Sequence, residues 1–150
     1  MLCLDASFLL NVLFGALDEE HAALWESWQD EERPMIAPGL LRSETTSTLY
    51  WMRSGAQIDE VQLQLALRAL SLLPITYVDD DTLGREAIAI AYANEEVTIH
   101  AAYYVALAAR HGADLWTSDK RVYTDFSWRL PWVHHAGRRA VESSTTPSHE

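Results

Sequence analysis

Short apolar runs alternating with longer amphipathic stretches constrain this chain more than any other feature of its sequence. Leu2-Cys3-Leu4 is too short for a helix and reads as a buried strand. A turn follows, with Ser7 as candidate N-cap, and then a helix through Phe8, Leu9, Leu10, Val12, Leu13 and Phe14. Acidic residues Asp18, Glu19 and Glu20 open a second helix that carries Trp25 and Trp28. Proline at both ends of Pro34-Met35-Ile36-Ala37-Pro38 excludes helix and leaves a short extended piece. Residues 40–53 form a third helix closed by Gly55, and residues 58–73 a fourth, with Leu63, Leu67 and Leu70 at core spacing and Pro74 behind it.

The alternation then resumes. Ile75-Thr76-Tyr77-Val78 is a strand, and the acidic run Asp79-Asp80-Asp81-Thr82 caps a helix reaching about Asn94. Thr98 caps another over residues 99–111, ended by Gly112. Residues 113–117 are a further strand, and Trp132-Val133-His134 is the candidate fifth. Buried strands separated by helices mean an α/β layer with a mostly parallel central sheet flanked by helices. A chain of 150 residues suits one domain, expected here over residues 1–136, with residues 137–150 (Ser143, Ser144, Thr145, Thr146, Pro147) as a frayed tail.

Composition narrows the function. The chain is 49% apolar and 22% charged, which is globular and not disordered. A net charge of −11 excludes a protein that coats nucleic acid or anionic membrane through phosphate neutralisation. It leaves phosphate binding through metal ions, or a basic protein partner. The lone Cys3 makes no intramolecular bridge and points to a reducing cytoplasm. Asp5 inside the first apolar run argues against a signal peptide, and no apolar run approaches the ~20 residues of a membrane span.

Parallel α/β sheets place their sites at the carboxyl ends of strands. Asp5 follows the first strand, and Asp119 follows the strand that ends in Trp116-Thr117. Each aspartate alone is equally well explained as an N-cap. Two carboxylates at adjacent strand ends, however, repel unless a cation or proton lies between them, which is how a magnesium site is built. Glu44 is three residues from Leu41 and four from Leu40 and Thr48, so it shares a helix face with inward residues, although a glutamate on a helix is commonly just solvated. His134-His135 are poor co-ligands, because neighbours on a strand point to opposite faces. His100, next to Ala101, could approach the pocket, although a helix-surface histidine is the commoner case, and Asp79-Asp80-Asp81 reads as a capping run. The six tryptophans scatter over different elements, as core and interface fillers do.

Four segments in order, Leu4-Asp5-Ala6-Ser7, Ala37-Pro38-Gly39-Leu40-Leu41-Arg42-Ser43-Glu44, Tyr104-Val105-Ala106-Leu107-Ala108 and Trp116-Thr117-Ser118-Asp119-Lys120-Arg121, make the chain resemble the PIN-domain ribonucleases, specifically the VapC-like toxins of bacterial toxin–antitoxin pairs. The resemblance implies a compact α/β fold with an acidic pocket that binds Mg2+ or Mn2+, RNA as substrate, a cognate antitoxin that plugs the pocket, and a homodimer. It carries catalytic and metal-ligand roles to Asp5, Glu44 and Asp119. Thr117 or Ser118 would then hold a water or ligand at the edge of the site. The family's fourth acidic position falls on Ala101, in the first turn of the helix capped by Thr98, and a methyl group cannot hold a cation. Natural loss of activity and a deliberate silencing substitution both account for it, and a non-cleaving module that binds antitoxin or RNA in the same pocket is the alternative function. A homodimer also has support from the residues: Leu49, Tyr50, Trp51 and Met52, then Leu63, Leu65, Leu67, Leu70, Leu72 and Leu73, are more apolar surface than one sheet can cover, unless the two helices cover each other as a hairpin.

Overall fold

The computed structural model describes residues 1–14, 19–95 and 97–137. In chain order its elements are β1 (Leu2–Leu4), α1 (Ala6–Phe14), α2 (Glu19–Asp30), β2 (Met35–Pro38), α3 (Leu40–Ser54), α4 (Glu60–Leu72), β3 (Ile75–Val78), α5 (Asp81–Tyr92), α6 (Ile99–His111), β4 (Asp114–Thr117), α7 (Lys120–Phe126) and β5 (Val133–His135). The expected tail beyond Gly137, and Asp18 at the head of the second helix, lie outside the described residues.

The five strands form one sheet in the order β3-β2-β1-β4-β5, and every pairing is parallel. β1 is central, and Leu2, Cys3 and Leu4 are all fully buried, as a strand covered on both faces must be. The chain winds from β1 outward through β2 to β3, then crosses back over α5 and α6 to lay β4 on the other side of β1. That reversal between β1 and β4 is a topological switch point, where helices diverge and leave a crevice at the strand ends.

The core fills both faces of this sheet, with Phe8, Leu9, Leu107, Leu115 and Phe126 buried in it. The central helix α6 buries Ala102, Ala106 and Ala108 beside Tyr104, Val105 and Leu107, and the small residues let it lie close to its neighbours. Thr98 caps it through the Ala101 N–H, and Gly112 ends it in the left-handed region at φ 59°, a conformation glycine adopts without cost. A second, smaller cluster joins Leu49, Ile58 and Ala66 to Leu10, Leu13, Phe14, Met52, Leu63, Leu67 and Leu70. The α3–α4 pair therefore does cover itself in part, while Tyr50, Trp51, Leu65 and Leu72 remain exposed.

Three local readings change. The N-cap of α1 is Asp5 and not Ser7: its Oδ1 accepts the Phe8 N–H at 2.9 Å. α4 starts at Glu60, two residues later than its apolar pattern, because Asp59 and Gln62 form a reciprocal capping box at 2.8 and 2.9 Å. α7 is an additional short helix that sequence periodicity does not mark.

Gly39, between β2 and α3, lies where Asp79 crosses from β3, and its N–H donates to Asp79 Oδ1 at 2.9 Å. A β-carbon there would collide with that carboxylate. Gly39→Ala is expected to swing Asp79 away and cost about 1 kcal/mol, the usual net worth of such a bond. Urea denaturation checks this, and an unchanged midpoint would show that the carboxylate moves freely.

Candidate active site

β1 and β4 pair in register with Leu4 opposite Trp116, so Asp5, which leaves the sheet after Leu4, stands beside Thr117, the last residue of β4. The Asp5 N–H still bonds the Trp116 carbonyl, at 3.3 Å. Each aspartate spends Oδ1 on starting a helix, Asp5 on the Phe8 N–H and Asp119 on the Arg121 N–H at 2.8 Å. Capping and presentation to the crevice are therefore served by one geometry, since the cap bond fixes the carboxylate at the head of its helix.

Between them runs a network of short polar side chains. Ser7 donates to Asp5 Oδ1 at 2.6 Å, accepts the Ser118 N–H at 2.9 Å, and lies 3.3 Å from the Thr117 hydroxyl. Thr117, fully buried, accepts the Asp119 N–H at 3.0 Å. The Ser118 hydroxyl is bonded to His21 Nε2 at 2.5 Å. Thr117 and Ser118 thus fasten the two carboxylates, and neither lines the crevice itself.

That crevice is a cleft of about 480 Å3 whose walls include Asp5, Ser7, Glu44, His100, Ala101, Tyr104 and Asp119. Glu44 reaches it from α3, with its side chain 22% exposed. The Tyr104 hydroxyl donates to Glu44 Oε2 at 2.5 Å, and His100 Nδ1 lies 3.2 Å from Oε1. Both partners come from α6, which also delivers Ala101 to the same wall. His100 therefore meets the site while its side chain stays 65% exposed, so it is a helix-surface histidine that also reaches the cleft. Tyr104 is a site residue absent from the sequence-based expectation. It lies three positions after Ala101 and four after His100, the spacing that places all three on one helix face.

Burial dominates the electrostatics. It pushes the Asp5 carboxyl up to about 6, against hydrogen bonds from Ser7, Thr117 and the Phe8 N–H that pull it down, and Glu44 adds a smaller upward push. Burial first, then Glu44, raises Tyr104, so its hydroxyl remains a donor. Burial also raises the Cys3 thiol, and Asp5 adds to that, which excludes Cys3 as a nucleophile.

A hard divalent cation prefers carboxylate oxygen and water. Asp5 and Asp119, held toward one cleft from adjacent strand ends, are the donors such an ion would take, with Glu44 on the facing wall. Among the described residues no three His, Cys, Asp or Glu side chains close on a single point. The fit is therefore to a water-rich ion such as magnesium, which needs one or two carboxylates, and not to a cage of protein ligands.

The remaining candidates have other occupations. His134 Nε2 lies 3.1 Å from Asp114 Oδ1 and its ring stacks on Trp116, while His135 packs against Tyr123. Asp80 caps α5 and is gripped by Arg110, which holds its carboxyl below the usual range. Among the described residues no helix is long and apolar enough to cross a membrane.

Residues 2–126 match the model of the PIN domain family. No curated protein matches the chain. Among solved structures, a toxin–antitoxin complex from Klebsiella pneumoniae is similar at 20% identity and a TM-score of 0.63, over 89% of this chain and 96% of that one. VapC20 of Mycobacterium tuberculosis, a sarcin–ricin loop cleaving toxin, is similar at 13% identity and 0.62, over 83% and 94%. A Pyrobaculum aerophilum crystal structure is similar at 19% identity and 0.59, over 82% and 84%. At these identities the likeness is one of fold.

Proposed function

The chain belongs to the PIN domain family, and on that premise we propose that it is a metal-dependent endoribonuclease, the toxin of a toxin–antitoxin pair, working in the cytoplasm. The observation that carries the reading is the gathering of Asp5, Glu44, Asp119 and position 101 around one cleft at the switch point of the sheet. A bound magnesium or manganese ion would supply positive charge to the scissile phosphate and acidify a water. Asp5 and Asp119 would hold it, and its charge would let their anionic wall admit RNA instead of repelling it. Glu44 has Oε2 held by Tyr104 and Oε1 beside His100, which orients it to accept a proton from water across the cleft.

Ala101 supports a second reading. The α6 first turn, where a carboxylate would be favoured, offers only a methyl group, so the chain as it stands is weakened for cleavage while keeping a cleft that binds. Its partners under either reading are RNA and a basic antitoxin segment, most simply an arginine that pairs with Asp5 and Asp119. A second copy of the chain is the proposed cover for Tyr50, Trp51, Leu65 and Leu72; a one-chain mass by light scattering at micromolar concentration would remove that proposal.

The test is cleavage of RNA with magnesium and with EDTA, using Asp119→Asn as control. Magnesium-dependent cleavage that Asp119→Asn reduces at least about tenfold is the expected result. Binding of RNA with no cleavage at any magnesium concentration would select the second reading. Cleavage indifferent to both EDTA and Asp119→Asn would move the chemistry out of this cleft.

A further inference from the structure

Buried polar residues are retained only where hydrogen bonds offset their desolvation. His21 is such a residue. It stands on α2, is 1% exposed, and its ring rests against Phe8 at 5.1 Å. The other buried position of α2 is Trp28, two turns along the same face, and Leu24 and Trp25 pack partly against the core between them. Helix packing alone would be served at position 21 by a leucine or phenylalanine. The imidazole adds a 2.5 Å bond from Nε2 to the Ser118 hydroxyl.

That bond reaches the turn between β4 and α7, which carries Asp119. Two backbone amides of the turn are held from the inside, Ser118 N–H by Ser7 and Asp119 N–H by Thr117. Ser7 in turn holds Asp5 Oδ1. His21 adds a further hold, from α2, through the side chain of Ser118. We propose that His21 is a positioning residue for the carboxylate pair: by clamping Ser118 it fixes the turn that sets Asp119 opposite Asp5. It acts through Ser118 and has no part in the chemistry. The proposal rests on the reading of Asp5 and Asp119 as partners in one site, and it extends that site to α2, a helix that no sequence motif connects with it.

The test uses His21→Phe, which keeps the packing and removes the bond, His21→Gln, whose amide nitrogen replaces Nε2, and Ser118→Ala. Two readouts are taken on the full chain: amide hydrogen exchange by NMR in EDTA, and Mn2+ affinity by electron paramagnetic resonance. His21→Phe is expected to speed exchange at Ser118 and Asp119 about tenfold while Leu4 in β1 is unchanged, and to weaken Mn2+ binding about tenfold, the lower end of effects seen when the groups orienting a metal ligand are lost. His21→Gln restores both, and the His21→Phe/Ser118→Ala double variant is no worse than either single one. Unchanged exchange at Ser118 and Asp119, or a glutamine variant as loose as the phenylalanine one, overturns the proposal. If neither this chain nor its Ala101→Asp variant binds Mn2+, the metal reading of the cleft fails, and the exchange data alone still decide whether His21 holds the turn.

Discussion

Ala101→Asp is expected to raise magnesium-dependent RNA cleavage by about 100-fold or more at fixed magnesium concentration. Residue 101 is on the cleft wall that faces Asp5 and Asp119, in the first turn of α6. The N-terminal turn of a helix favours negative charge, and Thr98 already takes the Ala101 N–H, so an aspartate enters without disturbing the cap. Groups that merely orient a ligand are worth about 10- to 100-fold in metal affinity or activity, and a direct carboxylate should be worth no less. A new carboxylate also adds repulsion to an already acidic cleft, which makes the variant more dependent on magnesium than the parent. Calorimetric titration with Mg2+ and a cleavage assay on one RNA sample measure both effects. Equal affinity and equal rate for parent and variant would take position 101 out of the site and leave Ala101 as an ordinary helix residue.

The parts of this molecule that can be read from sequence are those decided within one turn of chain. Thr98 and Gly112 bracket α6 because capping chemistry is local, and β1 announces itself because a doubly covered strand has no polar residue to alternate. Asp5 and Asp119 are legible for the same reason, one standing directly after a strand and the other one residue further on. What stays hidden depends on which elements touch. His100 and Tyr104 become site residues only because α6 crosses back over the sheet and brings its first turns against Glu44 of α3. Residue type alone makes Ser7 a cap, yet the register of β1 against β4 makes it the hub between Asp5, Thr117 and Ser118. The short helix α7 has seven residues, and Lys120, Arg121, Thr124 and Asp125 among them are polar or charged, so no apolar period marks it. The Asp119 cap and the burial of Phe126 hold it in place.

Asp5→Asn is expected to stabilise the metal-free protein at pH 7 by up to about 3 kcal/mol, since one pKa unit corresponds to about 1.4 kcal/mol. The Asp5 carboxyl is raised from 3.8 to about 6, chiefly because it is buried at the end of β1. A raised carboxylate has the opposite sign from an ion-paired one. Between about pH 4 and 6 the native state holds a proton on Asp5 that the unfolded state has already released, so this residue's contribution falls as pH rises through that window and is fully unfavourable above it. The amide of asparagine keeps an oxygen for the Ser7 hydroxyl and the Phe8 N–H; it loses the charge and turns the second acceptor oxygen into an NH2 donor, so the gain is an upper bound. Urea denaturation of both proteins in EDTA, at about pH 4.5 and pH 7, separates this from the rest of the chain's titration. The gap between variant and parent should open as pH rises, and the same substitution should weaken Mg2+ binding, because the charge that burdens the empty fold is the one that holds the ion. A gap that is constant with pH would mean that Asp5 is already ionised at little cost, with its hydrogen bonds outweighing burial. Opposite responses of stability and metal affinity to one substitution would instead identify Asp5 as a residue kept for what it binds, at the expense of the fold that surrounds it.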